Sequence, residues 1–197
     1  SDSLLYQREN MERTALEVQT YVDLAGKLGT PYVRVFAAPP VPQPMGHVDE
    51  GLVREQASRL AAYAAQKGVT LLFETHGIWA DSQKLARLIT AIGSPNVAVL
   101  WDVHHPYRFM GEKPEETYNR LKPFIRHVHI KDSVWEGESI RYRMAGSGDL
   151  PLKTCISLLR NGGYDGFYSL EWVKRWDTTL EEPGIVLAQY QSYMKSL

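Results

Sequence analysis

Val97-Ala98-Val99-Leu100-Trp101-Asp102 is an unbroken apolar run that stops on a carboxylate, followed by Val103-His104-His105. Such a run is too short for a buried helix and suits a strand covered on both faces, as in a parallel sheet. Working outward, the pattern recurs. Tyr32–Phe36, Thr70–Phe73, Ile125–Ile130 and Phe167–Leu170 read as further strands, each followed by a helical stretch. Ala15, Val18, Val22, Ala25 and Leu28 form one stripe of a leading helix that Gly29 closes. Val53, Ala57, Leu60 and Ala64 make a second stripe; Asp81 or Ser82 caps a third, with Leu85, Leu88, Ile89 and Ile92. Pro114 opens a helix with Tyr118 and Leu121 inward, Pro151 another, and the last carries Ile185, Leu187, Tyr190 and Tyr193. Strands alternating with helices predict parallel βαβ units.

The chain of 197 residues reads as one domain, with no linker or low-complexity break. A complete eight-stranded barrel of this type usually takes about 250 residues. The five predicted strands therefore suit a partial barrel or an open sheet. Asp132 to Gly148 reads as the longest irregular connection, and a proline-rich loop runs from Phe36 to Pro44.

Composition excludes several classes. The 22 basic and 23 acidic residues leave a net charge of −1, which gives no phosphate-tracking surface and argues against nucleic acid. No apolar run approaches the roughly 20 residues of a membrane span, and Ser1–Gln19 is too polar for a signal peptide. The lone Cys155 lies among helix leucines, reads as packing, and with the missing disulfide favours the cytoplasm.

Four strands end on a group able to bind metal: Glu74 in LLFETHG, Asp102 in VLWDVHH, His129 in HVHIKD and Glu171 in YSLEWVK. In a parallel α/β fold the C-terminal strand ends open on one face, so these four converge. Each alone reads equally as a strand-end cap or an arginine partner. Together, three half-buried carboxylates would repel one another without a cation. Two Glu, one Asp and one His suit a single divalent ion, Mn²⁺, Co²⁺, Mg²⁺ or Zn²⁺.

These motifs, with GSGDLP at 146–151 and YDGFYSLEW, resemble the xylose-isomerase-like TIM barrels, the superfamily of sugar phosphate isomerases and epimerases and of AP endonuclease family 2. The resemblance runs from about Ala15 to the end and implies the fourth to eighth strands of such a barrel, with no counterpart of the first three. It implies that Glu74, Asp102, His129 and Glu171 hold one metal, and that Glu74 and Glu171 pass protons to and from a small polyhydroxylated substrate through a metal-stabilised enediolate. His105, in a family Asp-x-x-His pattern, is implied to touch substrate. His76, Trp79, Arg34, Arg141 and Lys174 are further candidates for substrate binding.

Blander readings stand beside these. His104 and His127 suit the core, His47 and Arg143 suit solvent, and Lys131 with Asp132 suits an ion pair. The GSGDLP glycines suit a turn, with Asp149 near the following helix N-terminus. A sugar or sugar-acid isomerase or epimerase is the leading function; a dehydratase resembling the inosose and dehydroshikimate enzymes is the alternative. An endonuclease IV-like repair enzyme or a non-catalytic fragment fits less well. The missing strands leave inward residues such as Arg34, Val99 and Val128 uncovered, which predicts a homo-oligomer or a place in a longer chain.

Overall fold

The structure is a computed structural model that describes residues 5–39, 44 and 47–197. Residues 40–43 of the proline-rich loop expected before Pro44 lie outside the described residues. Helix α1 spans Met11–Leu28, β1 Tyr32–Val35, α2 Glu50–Ala65, β2 Thr70–Glu74 and α3 Ser82–Ile92. Strand β3 spans Val97–Asp102, α4 His104–Met110, α5 Pro114–Leu121 and β4 Ile125–Ile130. A hairpin of β5 (Asp132–Glu136) and β6 (Ser139–Arg143) follows, then α6 (Leu152–Asn161), β7 (Tyr168–Leu170) and α7 (Pro183–Lys195). The parallel sheet runs β1-β2-β3-β4-β7, a half-barrel with the helices on its convex side.

Alternation along each strand divides the sheet into two faces. Val35, Phe73, Val97, Val99, Trp101, Ile125 and Val128 pack against helix residues such as Val22, Leu60, Leu85, Leu121 and Leu159 in the main core. Leu72, Ala98 and Leu100, backed by Tyr32, form a separate small cluster on the concave face. Val99 and Val128 therefore face the helices, not the barrel interior, and the concave side carries Leu72 and Leu100 in their place. Register holds this division through an irregularity in β4. Val99 pairs with Ile125 and Leu100 with His127, so Arg126 is an extra, exposed residue. That insertion puts Ile125 and Val128 on one face and aligns His129 with Asp102.

Helix signals read from sequence hold for α3, where the Asp81 side chain accepts from the Lys84 backbone N–H at 3.0 Å and Gly93 ends the helix at φ 64°. Other expectations need correction. Leu28 is 70 % exposed, and in α7 Val186 is the buried residue while Ile185 and Leu187 face solvent. The connection from Asp132 is a hairpin, not irregular chain. Its sequence alternates weakly because only its first half is covered. Asp132 forms no ion pair there. Its carboxylate accepts backbone N–H bonds from Ser133, Gly146, Gly148 and Leu150, and a Cβ at Gly148 would lie 2.0 Å from Asp132 Oδ1. The glycines of GSGD thus wrap a carboxylate. Asp149 leaves the helix and binds Arg108 instead.

Exposed apolar side chains gather at both ends of the open sheet: Tyr21, Leu24 and Leu28 beside β1, Phe167 with Ile185 and Leu187 beside β7. No helix among the described residues is long and apolar enough to cross a membrane. The burial pattern gives a direct check by urea unfolding. Leu121→Ala, in the core, is expected to cost about 2–4 kcal/mol, and Leu28→Ala less than about 0.5 kcal/mol. A comparable loss in both would show that Leu28 is covered in solution.

Candidate active site

Glu74 closes β2, Asp102 closes β3, His129 lies in β4 and Glu171 follows β7 directly. One donor atom from each lies within 4.8 Å of the others. A cation bound at roughly 2.0–2.4 Å sets opposed ligands about 4–4.8 Å apart, so this set fits one divalent ion. The donor chemistry agrees: three carboxylates and one imidazole, with Asp102 Oδ2 buried and met by an ion pair to Lys131 rather than by a hydrogen bond.

Positive groups surround the carboxylates. Arg34 Nη1 lies 3.0 Å from Glu74 Oε2 and 3.6 Å from Glu171 Oε1, with its guanidinium over the Phe36 ring. His129 Nδ1 donates to Glu74 Oε1 at 3.2 Å. Lys131 Nζ lies 3.0 Å from Asp102 Oδ2 and donates to Glu171 Oε2. Burial opposes ionisation of Glu74, yet the His129 hydrogen bond and the Arg34 charge outweigh it and bring its pKa down to about 2. Burial likewise opposes charge on His129, but Glu74 and its neighbouring carboxylates raise its pKa. For Lys131, burial is overcome by Asp102 and Glu171, and the ammonium is held charged.

Lys131 joins the cluster, although a strand-end search passes over it. The signal was present: in HVHIKD, positions 127, 129 and 131 share one side of an extended chain. Thr75 was missed too. Its hydroxyl donates to the Asp102 carbonyl at 2.9 Å, and its own carbonyl accepts from His105 Nδ1 at 2.9 Å. That bond places the proton of neutral His105 on Nδ1, leaving Nε2 to accept from Lys131 Nζ at 3.2 Å.

The remaining candidates divide. Arg34 joins the cluster, and His76 sits beside it, its ring 4.9 Å from His105 and 5.4 Å from Phe36. His105 is wholly buried beneath Lys131, with both ring nitrogens engaged, so it has none to offer a substrate. Trp79 is also in the core and donates to the Ala37 carbonyl at 2.9 Å, beneath the loop rather than on its surface. Arg141 stays out in the hairpin, paired with Glu136 at 2.7 Å. Lys174 donates to the Leu180 carbonyl at 2.6 Å and meets Glu182 at 2.9 Å, which ties down its own loop. The bland reading of His127 fits: it shares a hydrogen bond with Ser169 at 2.9 Å on the concave face.

The sequence profile of the xylose isomerase-like TIM barrel matches residues 7–195. The chain belongs to that family. Fructoselysine 3-epimerase of Shigella flexneri is 24% identical over 195 residues, covering 96% of this chain and 68% of the epimerase. Inosose dehydratase of Geobacillus thermodenitrificans is 27% identical over 138 residues, covering 61% of this chain and 46% of the dehydratase. A crystal structure of a xylose isomerase-like TIM barrel protein from Mycobacterium smegmatis, in complex with magnesium, superposes with a TM-score of 0.73 at 20% identity. It covers 87% of this chain, which spans 64% of that protein. The family's barrel is thus represented here by about two thirds of its length.

His104 gives this region a measurable acid response. Its Nε2 shares a hydrogen bond with Ser133 Oγ at 3.0 Å, and burial drives its pKa from 6.5 down to about 3. The folded protein keeps it neutral while the unfolded chain protonates it, so its contribution is full above pH 6.5 and is lost as pH falls toward 3. His104→Phe, which keeps a flat ring without the titration, is expected to flatten the fall of urea-unfolding free energy across that window.

Proposed function

We propose that this protein is a divalent-metal-dependent epimerase or isomerase of a small polyhydroxylated substrate such as a ketose. The observation that carries the reading is the convergence of Glu74, Asp102, His129 and Glu171, with one of the two glutamates reachable. The Glu171 side chain is 23% exposed and that of Glu74 2%. The similarity to fructoselysine 3-epimerase supports the same reaction class.

A divalent cation held by the four residues would anchor neighbouring substrate oxygens and offset the negative charge that grows on them as a carbon-bound proton leaves. The protein supplies the rest. Glu171 reaches the substrate side and takes the proton, oriented by Lys131 and Arg34. Glu74, on β2 across the site, gives a different proton to the opposite face of that carbon. It takes that proton from solvent once His129 and Arg34 no longer hold it ionised, while Glu171 releases its own to solvent. Tyr142 of the hairpin packs its ring 5.7 Å from His104 and walls the site on that side.

A second reading is a dehydratase, favoured by the match to inosose dehydratase. Both reactions begin with removal of the same kind of proton, and they part at the fate of the neighbouring hydroxyl. Incubating the manganese-loaded protein with candidate ketoses and inososes in D₂O, followed by NMR, separates them. Deuterium at carbon without loss of water marks epimerisation; an unsaturated or deoxy product marks dehydration. In either case Glu171→Gln is expected to lower turnover at least about 100-fold with unchanged circular dichroism. Full activity in that variant would remove Glu171 from the role given to it.

We also propose that the chain associates with further copies, because Leu24, Leu28, Phe167, Ile185 and Leu187 stand at least 48 % exposed along the sheet's two ends. Light scattering on the 197-residue chain is expected to give a multimer. A monomer that unfolds cooperatively overturns this.

A further inference from the structure

We propose that Lys131 is a built-in competitor for the cation, its ammonium holding the same two carboxylate oxygens that the ion needs. The inference rests on the metal-dependent reading above and adds to it a residue that sets how tightly the metal is held.

The argument begins at Asp102. Its Oδ1 accepts the His104 backbone N–H at 2.8 Å, which leaves Oδ2 as the free oxygen. Lys131 Nζ lies 3.0 Å from that Oδ2. The same Nζ donates to Glu171 Oε2 and, at 3.2 Å, to His105 Nε2. The buried ammonium thus makes two hydrogen bonds and meets Asp102 Oδ2 as an ion pair. A cation drawing on Asp102 and Glu171 therefore meets a group already seated between them. Arg34 does not stand in the way to the same degree, since it touches Glu74 and Glu171 from a partly exposed position and does not reach Asp102.

Charge balance points the same way. With His129 neutral, as a metal-binding imidazole must be, three carboxylates against Lys131 and Arg34 leave one negative charge. A divalent ion added with both cations in place leaves an uncompensated positive charge in a buried site, where charge is costly. With Lys131 moved off its carboxylates, the three negative charges meet Arg34 and the ion, and the site is neutral. Affinity for metal is thus expected to be weaker than the four ligands alone would give, and the site tolerates removal of the ion because the ammonium replaces it.

Lys131→Met keeps an unbranched side chain one atom shorter and removes the charge. Chelator-stripped wild type and variant would be titrated with Mn²⁺ by calorimetry, with melting temperature measured before and after. The variant is expected to bind Mn²⁺ at least about tenfold more tightly. It should also melt lower than wild type when stripped, and gain more on adding the ion. Equal or weaker binding by the variant overturns the proposal. Should the variant not fold, the wild type alone suffices: with ¹⁵N-labelled lysine, a slowly exchanging ammonium signal is expected in stripped protein and should be lost at saturating Mg²⁺. A signal unchanged by saturating Mg²⁺ sinks the proposal. If wild type and variant both bind the ion equally well, only this inference falls; if neither binds, the metal-dependent function falls with it.

Discussion

Three carboxylates held within a few ångströms of one another are the constraint around which this half-barrel is arranged. Glu74 and Asp102 are buried, where unpaired negative charge is costly, and their strands bring Glu171 alongside. The surrounding sequence supplies compensation at several distances. Arg34 enters from the edge strand, His129 from the strand between, and Lys131 from just beyond the end of β4. Behind them, Thr75 and His105 fix the position of Lys131 through a hydrogen bond whose direction the carbonyl dictates. The site is therefore stiff because each charged group has partners of its own.

Much of this was legible in the chain because parallel strands write their topology into local sequence. An apolar run ending on a polar residue marks both a buried strand and the face where it opens, so Glu74, Asp102, His129 and Glu171 could be grouped without any contact information. Parity carried more than was taken from it. Asp102 and Val99 are three apart, so an inward Asp102 turns Val99 outward to the helices, and Lys131 shares the side of His129. Val128, next to the inward His129, follows by the same rule, and the extra residue at Arg126 resets the count only for Ile125 before it.

What the sequence conceals is tertiary in origin. Arg141 and Lys174 look like free cations until the fold places Glu136 and the Leu180 carbonyl beside them. Trp79 follows Glu74 closely enough to suggest a pocket wall, but its indole N–H finds the Ala37 carbonyl from another loop. The hairpin after Asp132 gives a weak pattern because one strand of it is open to solvent. Its anchor is a single carboxylate enclosed by backbone N–H groups that come from positions up to Leu150. Local propensity carries no trace of a bond formed across that span.

The extra residue in β4 also bears on how such a site changes over time. Substituting Arg126 alters an exposed side chain and little else, and deleting it leaves Ile125 opposite Val99 and His127 opposite Leu100 in a regular ladder. Val128 stays toward the helices and His129 among the carboxylates; losing a second residue from the strand would exchange them. The donor set is thus robust at this position both to point changes and to the loss of one residue. Descendants of this chain can vary or drop the residue at 126 and keep the imidazole in place, because the strand carries one residue more than its pairing needs.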